Sequence, residues 1–293
     1  MRPPGAKVIL VVLENKNEQP ARERPFLARL AREGRYLANY HAVAHPSQPN
    51  YIAMVSGSIE GVDRGDTNVT LNRCHLGKNL ASWTVYAEGY PGGQDACYLS
   101  DHKPYVRKHV PFLSFADVNC DHEDCRQNCT THIRDFREFA SAARSRSLPD
   151  FSLVVPNLDN DGHDYQNERA NDESLSNQAL DVADKWLKDT FEPLLDDPHF
   201  RRDVILFVTF DENDDDFNLF GVYPSKNNKV YASVWGGHVI PGPEIITYYD
   251  HYDLHRTFEA ILGVDARQNC NTVPGEYEPA RNFAPVPIGG IWR

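Results

Sequence analysis

Apolar positions along this chain fall into two kinds of run. Residues 7–13, Lys-Val-Ile-Leu-Val-Val-Leu, and 151–155, Phe-Ser-Leu-Val-Val, are short, nearly unbroken and rich in β-branched side chains. Such runs predict strands buried on both faces of a parallel sheet, because a half-exposed strand alternates apolar with polar residues. Residues 203–210, 230–235 and 82–87 predict three more strands. Between these runs the apolar residues recur at helical spacing. Phe26, Leu27 and Leu30 share one side of a helix bracketed by Pro25 and Gly34, and Leu175, Ala179, Val182, Ala183 and Trp186 share one side of a helix over 173–190 capped by Asn171 or Asp172. Further helices are predicted over 133–143, over 51–55 with closure near Gly57, and over 253–262 with Asp253 as cap and Gly263 as stop. Strands alternating with helices predict an α/β fold with a central, mostly parallel sheet and helices on both faces. No composition break marks a linker, so residues 1–293 read as a single domain.

Polar groups cluster where the predicted strands end. Glu14-Asn15, Asp159 and Asp211-Glu212 each follow an apolar run, and in open α/β sheets the carboxyl ends of strands line the ligand crevice. One such pair is an ordinary acidic turn; three of them converge on one site. The runs Asp159-Asn160-Asp161 and 211–216 concentrate negative charge that must be solvated or neutralised by a cation. Glu14, Asn15, Asp211 and Glu212 are oxygen donors suited to a hard divalent ion. Ser47 stands between Pro46 and Pro49 at the start of the helical run. There the free N–H groups and partial positive charge of a helix terminus suit a phosphate or the oxyanion of a serine, and an N-cap role is the structural alternative.

Charge and cysteine usage narrow the class. With 30 basic and 42 acidic residues the chain carries a formal charge of −12, which repels polyanions and excludes nucleic acid as the expected partner. No apolar run is long enough to span a membrane, and residues 1–13 pass directly into a strand, so no secretory leader is expected within them. Six cysteines and sequons at Asn68 and Asn128 point to a secreted, disulfide-bonded glycoprotein. At least two disulfides are expected to fasten an excursion over 61–129, which is rich in Gly, Asn, Asp and Cys. The competing reading is a zinc site from Cys120, Cys125, Cys129 and His122 or His132, whose spacing lacks paired Cys-x2-Cys knuckles. A non-enzymatic calcium module at 211–222 is weaker still: Asp216 replaces the required glycine and Val222 the required glutamate.

The segment His-Pro-Ser-Gln-Pro-Asn-Tyr at 45–51, together with the strand-end acids, resembles the nucleophile segment and metal motifs of the alkaline-phosphatase superfamily. In particular it is similar to the phosphoesterase family that holds bacterial and fungal acid phosphatases and phospholipases C. Five motifs in the family's order, from Val8 to Val264, carry the resemblance. It implies an alkaline-phosphatase-like fold and a phosphoric ester hydrolase in which Ser47 forms a phosphoseryl intermediate. It also implies a metal held by Glu14, Asn15, Asp211 and Glu212. Asp159-x-x-x-His163 with His251 resembles the second site of two-metal members; in a one-metal enzyme His163 and His251 are instead proton donors or phosphate contacts. One or two divalent ions (Mg, Ca, Mn or Zn) are thus expected. His45 is placed to contact the phosphate or leaving group and Asn50 to donate to a phosphoryl oxygen, with structural roles as the alternatives. Small phosphate monoesters are the favoured substrates and phosphodiesters the second choice, since phospholipases C of the family are longer. The remaining nine of the 12 histidines, His109 among them, receive no role.

Overall fold

The computed structural model describes residues 5–62, 65–93, 96–119, 122–166, 168–169, 173–214, 228–266 and 284–293. Its centre is a seven-stranded sheet in the order Arg35–Tyr36, Ala232–Gly236, Val204–Phe210, Lys7–Leu13, Phe151–Val155, Trp83–Ala87, Ile133–Asp135. The first strand of the chain lies in the middle, parallel to both neighbours, with Leu13 opposite Phe210 at the last rung. Val8 to Leu13 are fully buried, as an unbroken apolar run requires when both faces are covered. Ala232–Gly236 and the edge strand Arg35–Tyr36 run antiparallel to their neighbours; Trp83–Ala87 and Ile133–Asp135 continue the parallel side.

Helices cover both faces. Phe258, in the helix His251–Leu262, packs edge-on against Phe151 and Phe207, and that helix in turn packs on the helix Ser47–Ser56. Trp83 pairs with Phe151 and Tyr86 with Val154, so Tyr86 points the opposite way. On that second face Tyr86 meets Phe139 of the helix Phe139–Arg144, which rests on Phe191 of the helix Glu173–Leu195. The helix Pro25–Glu33 belongs to the same layer. Asp184, 158 residues further on, accepts the N–H groups of Phe26 and Leu27 and serves as its cap.

Several boundaries differ from those predicted. Residues 133–143 do not form one helix: Ile133–Asp135 is drawn into the sheet beside Trp83–Ala87, and Asp135 then caps a tight turn by accepting from Arg137 N–H at 2.9 Å. The helix on this stretch begins at Phe139, and another, Glu123–His132, precedes it. The last helix is capped by Asp250, with Asp253 closing a reciprocal capping box. The Ser47 helix begins at Ser47 itself. The predicted caps Asn171 and Asp172, and Asp215, Asp216 and Val222 of the calcium reading, lie outside the described residues.

The 61–129 excursion does more than cover the sheet, since it supplies Trp83–Ala87 and buries Trp83, Phe112 and Phe115 in the core. Cys97 and Cys129 form a disulfide with Cα atoms 5.6 Å apart, and Cys74 and Cys125 each belong to a disulfide as well. That removes Cys125 and Cys129 from the zinc reading; Cys120 and Cys270 lie outside the described residues. Among the described residues no helix is long and apolar enough to cross a membrane.

Candidate active site

The ladder between Lys7–Leu13 and Val204–Phe210 ends where the polar residues begin. Asp211 N–H donates to the Leu13 carbonyl at 2.9 Å, and Asn15 N–H donates back to Asp211 Oδ1 at 3.0 Å. Asn15 turns the chain through the left-handed region, φ 46°, which asparagine tolerates better than most residues. A third strand end joins through Glu14 N–H to the Asp161 carbonyl, 2.8 Å. Here Gly162 has φ 99°, and a Cβ on it would lie 3.2 Å from the Glu14 carbonyl oxygen, so both conformation and space call for glycine.

Ser47, the first residue of its helix, donates its hydroxyl to Glu14 Oε2 at 3.0 Å and lies 3.3 Å from Glu212 Oε1. Glu14, Asp211 and Glu212 are all buried. Burial, reinforced by the charge of Asp211, lifts the Glu14 carboxyl to about 8. Burial followed by Glu212 raises Asp211, and burial followed by Glu14 raises Glu212, each far above the usual carboxylate range. His45 brings Nδ1 against Glu212 Oε2 and keeps part of its ring in solvent.

Asn50 is committed elsewhere. Its Oδ1 accepts from Val43 N–H and Ala44 N–H at 2.9 and 3.0 Å, and its Nδ2 donates to the Ala44 carbonyl at 2.9 Å and the Pro46 carbonyl at 3.4 Å. Both ends of the amide hold the loop that delivers Ser47, which leaves nothing for a phosphoryl oxygen. His251 is likewise engaged on both nitrogens: Nε2 with the Asp211 main-chain carbonyl at 2.7 Å, Nδ1 with the Tyr40 hydroxyl at 2.9 Å. A carbonyl only accepts, so Nε2 carries the proton and Nδ1 receives the one from Tyr40. Burial lowers this imidazole to about 4 and keeps it neutral.

Asp159 does not join the cluster; it is exposed, and its N–H donates to Asn157 Oδ1. The buried carboxyl of that turn is Asp161, raised well above its ordinary range by burial and then by Glu14. His163 sits at the edge of the cluster, where its N–H donates to Asp161 Oδ1 at 2.8 Å and its Nδ1 lies 2.5 Å from Asp164 Oδ1. The expected second-metal group of Asp159, His163 and His251 is therefore not assembled.

A histidine without a predicted role, His109, is buried here instead. Its ring stacks on Tyr51 with centroids 5.1 Å apart, Nε2 stands 3.3 Å from Glu14 Oε1, and Nδ1 stands 3.7 Å from Asp161 Oδ2. Burial, then the neighbouring Lys108 charge, holds it neutral. No periodicity or motif marks this residue, because a long irregular connection carries it to the site. Lys16 lies below the cluster, buried, with Nζ donating to the Asn15 carbonyl at 2.8 Å.

Among the described residues, no three His, Cys, Asp or Glu side chains form a ready metal-ligand group. The donor set at Ser47 differs in including an amide. Asn15 Oδ1 and Asp211 Oδ2 are buried and accept no hydrogen bond, beside carboxylates whose charges oppose one another. Oxygen atoms in that condition fit a hard cation.

The sequence profile of the Phosphoesterase family matches residues 17–265. The phosphate-repressible acid phosphatase of Penicillium chrysogenum is 32% identical over 277 residues, covering 90% of this chain and 61% of that protein. The phosphatidylinositol-3-phosphatase of Mycobacterium tuberculosis is 30% identical over 302 residues, 99% of this chain and 84% of that protein. A solved protein of the alkaline phosphatase superfamily from Vibrio parahaemolyticus superposes with a TM-score of 0.60 at 14% identity, over 91% of this chain and 68% of that one. At that identity the likeness establishes the fold alone. The chain spans 56 to 61% of the length of the fungal acid phosphatases it matches.

Proposed function

This chain belongs to the Phosphoesterase family, and from that premise we propose that it hydrolyses phosphate monoesters, with Ser47 as nucleophile and one divalent cation held by Glu14, Asn15, Asp211 and Glu212. The observation that carries this reading is the Ser47 hydroxyl at a helix start, hydrogen-bonded to Glu14 and within 3.3 Å of Glu212. The acid phosphatases and the phosphatidylinositol phosphatase among its relatives support the substrate class.

When bound, the cation supplies Lewis-acid neutralisation of the clustered carboxylates and of the serine oxygen. The protein's own groups do the rest. Glu14, which already accepts the Ser47 hydroxyl hydrogen bond, takes the Ser47 proton. Ser47 Oγ then bonds to phosphorus in line with the departing ester oxygen, which His45 protonates from its part-exposed position. The first-turn N–H groups of the Ser47–Ser56 helix face the nonbridging oxygens, and water releases phosphate in a second displacement. A single cation is favoured over two because both His251 nitrogens are occupied and Asp159 is exposed. The disulfides support an oxidising compartment as its place of action.

Turnover of a nitrophenyl monoester by the wild-type chain and by Ser47→Ala tests the proposal. The variant should fold normally and lose roughly a thousandfold or more in kcat. Acid-quenched wild-type enzyme should carry phosphate on the peptide containing Ser47. Most of the turnover surviving in Ser47→Ala, with no labelled peptide, would refute the serine mechanism.

A further inference from the structure

We infer that Lys108 is the residue that selects a dianionic phosphate monoester over a monoanionic diester, resting on Asp66 until substrate takes its ammonium; this builds on the hydrolase reading above. Ser47 is surrounded by Glu14, Asp211 and Glu212, with Asp161 behind them. Glu14, Asp211 and Glu212 together outweigh one divalent cation, so a phosphoryl dianion entering beside them gains from further positive charge. Lys16 cannot move to provide it, since its buried ammonium is tied to the Asn15 carbonyl.

Lys108 is the other lysine whose charge reaches the cluster. It lies in the tight turn Arg107–His109, whose last residue, His109, stands 3.3 Å from Glu14, and its charge acts on Glu14, Asp211 and Glu212. The turn is held rigidly: Arg107 N–H donates to Asp101 Oδ1 at 2.8 Å and its guanidinium to the Leu113 carbonyl at 2.6 Å. The lysine side chain is 18% exposed, that of its ion-pair partner Asp66 is 40% exposed. The segment of Asp66 passes near the nucleophile's helix. A Cβ on Gly65 would lie 3.8 Å from Gln48 Oε1, next in the chain to the nucleophile, and the charge of Asp66 is felt at Glu212.

The Lys108–Asp66 pair is thus partly open to solvent and within electrostatic reach of the carboxylates around Ser47. An ion pair with an exposed partner is weak, because solvent screens it. A phosphate oxygen in a water-poor site is the stronger acceptor, so the ammonium exchanges partners. A monoester presents three nonbridging oxygens and nearly two charges; a diester replaces one of those oxygens with an ester group and carries one charge. Lys108 reads that difference.

Steady-state kinetics of wild type, Lys108→Gln, Lys108→Arg and Asp66→Asn on a nitrophenyl monoester and its bis-ester provide the test. Lys108→Gln should raise the monoester KM about tenfold with kcat within about threefold, which separates lost ground-state binding from lost chemistry. The effect on the diester should be at least about fivefold smaller, read as Ki for competitive inhibition if the diester is not turned over. Lys108→Arg should recover most of the monoester affinity, and Asp66→Asn should tighten inhibition by inorganic phosphate. Equal losses on both esters, or none on either, would overturn the proposal. If Lys108→Gln fails to fold, the Asp66→Asn and Lys108→Arg results decide. A wild-type chain that hydrolyses neither ester defeats the hydrolase reading instead, and calorimetric binding of inorganic phosphate to wild type and Lys108→Gln then judges Lys108 separately.

Discussion

His251 holds Asp211 by its backbone, not its carboxylate: Nε2 donates to the main-chain carbonyl across 2.7 Å, joining the last helix to the end of the strand Val204–Phe210. The bond fixes the direction in which the Asp211 side chain leaves the sheet. His251→Phe removes a donor from that carbonyl and an acceptor from Tyr40. It should cost about 1–3 kcal/mol in stability and weaken cation binding about 10- to 100-fold without abolishing it. Urea unfolding and manganese titration by calorimetry measure the two effects; complete loss of binding in a folded variant would identify His251 as a ligand.

Acidity of the site makes stability depend on cation and pH together. In cation-free protein Glu14 titrates near 8 in the folded state against 4.5 ordinarily, because it is buried beside Asp211. Between those values the folded chain binds more protons than the unfolded chain, so stability falls as pH rises through that window. A divalent cation held there as proposed would bind the deprotonated carboxylates and reverse the trend, adding about 2.7 kcal/mol at a hundred times its Kd. Melting in chelator should drop by several degrees from about pH 5 to about pH 8, and magnesium or manganese should restore the higher value. A melting temperature indifferent to both variables would remove the cation from the site.

Asn50 should behave as a clamp on the nucleophile's loop. Asn50→Ala leaves the N–H groups of Val43 and Ala44 without their acceptor. About 2–4 kcal/mol of stability should be lost, and kcat should fall because Ser47 is no longer held in place. Shifted denaturant midpoints accompanied by unchanged kcat would show that Ser47 is positioned by its helix alone.

How much of this was legible in the chain follows from what each feature depends on. The strand Lys7–Leu13 announced itself because burial on both faces leaves no polar alternation, and Glu14 and Asp211 followed as the first polar residues after such runs. Ser47 was legible from its two prolines. Asp161 was not distinguished from Asp159, because which carboxyl of an acidic turn faces inward is set by the Glu14 hydrogen bond and by the close approach of Gly162 to the Glu14 carbonyl, both contacts between distant parts of the chain. Residues 133–143 carried helical spacing that lost to pairing with Val85. His109 and Lys108 lie on an irregular connection, where only tertiary packing decides what reaches the crevice.

The middle position of the first strand makes its pairing wait on the synthesis of distant segments. Lys7–Leu13 leaves the ribosome before both of its sheet neighbours, Phe151–Val155 and Val204–Phe210. Until they emerge, this apolar strand has two unpaired edges and is a target for wrong partners. Such distant pairings fold slowly, because a long loop must close before any contact rewards it. Ser47 is likewise synthesised long before Asp211 and Glu212 arrive, and before His251 secures their turn. Ser47 thus stands apart from the carboxylates that surround it in the folded protein until Asp211 and Glu212 have emerged, and the site can assemble only after that point.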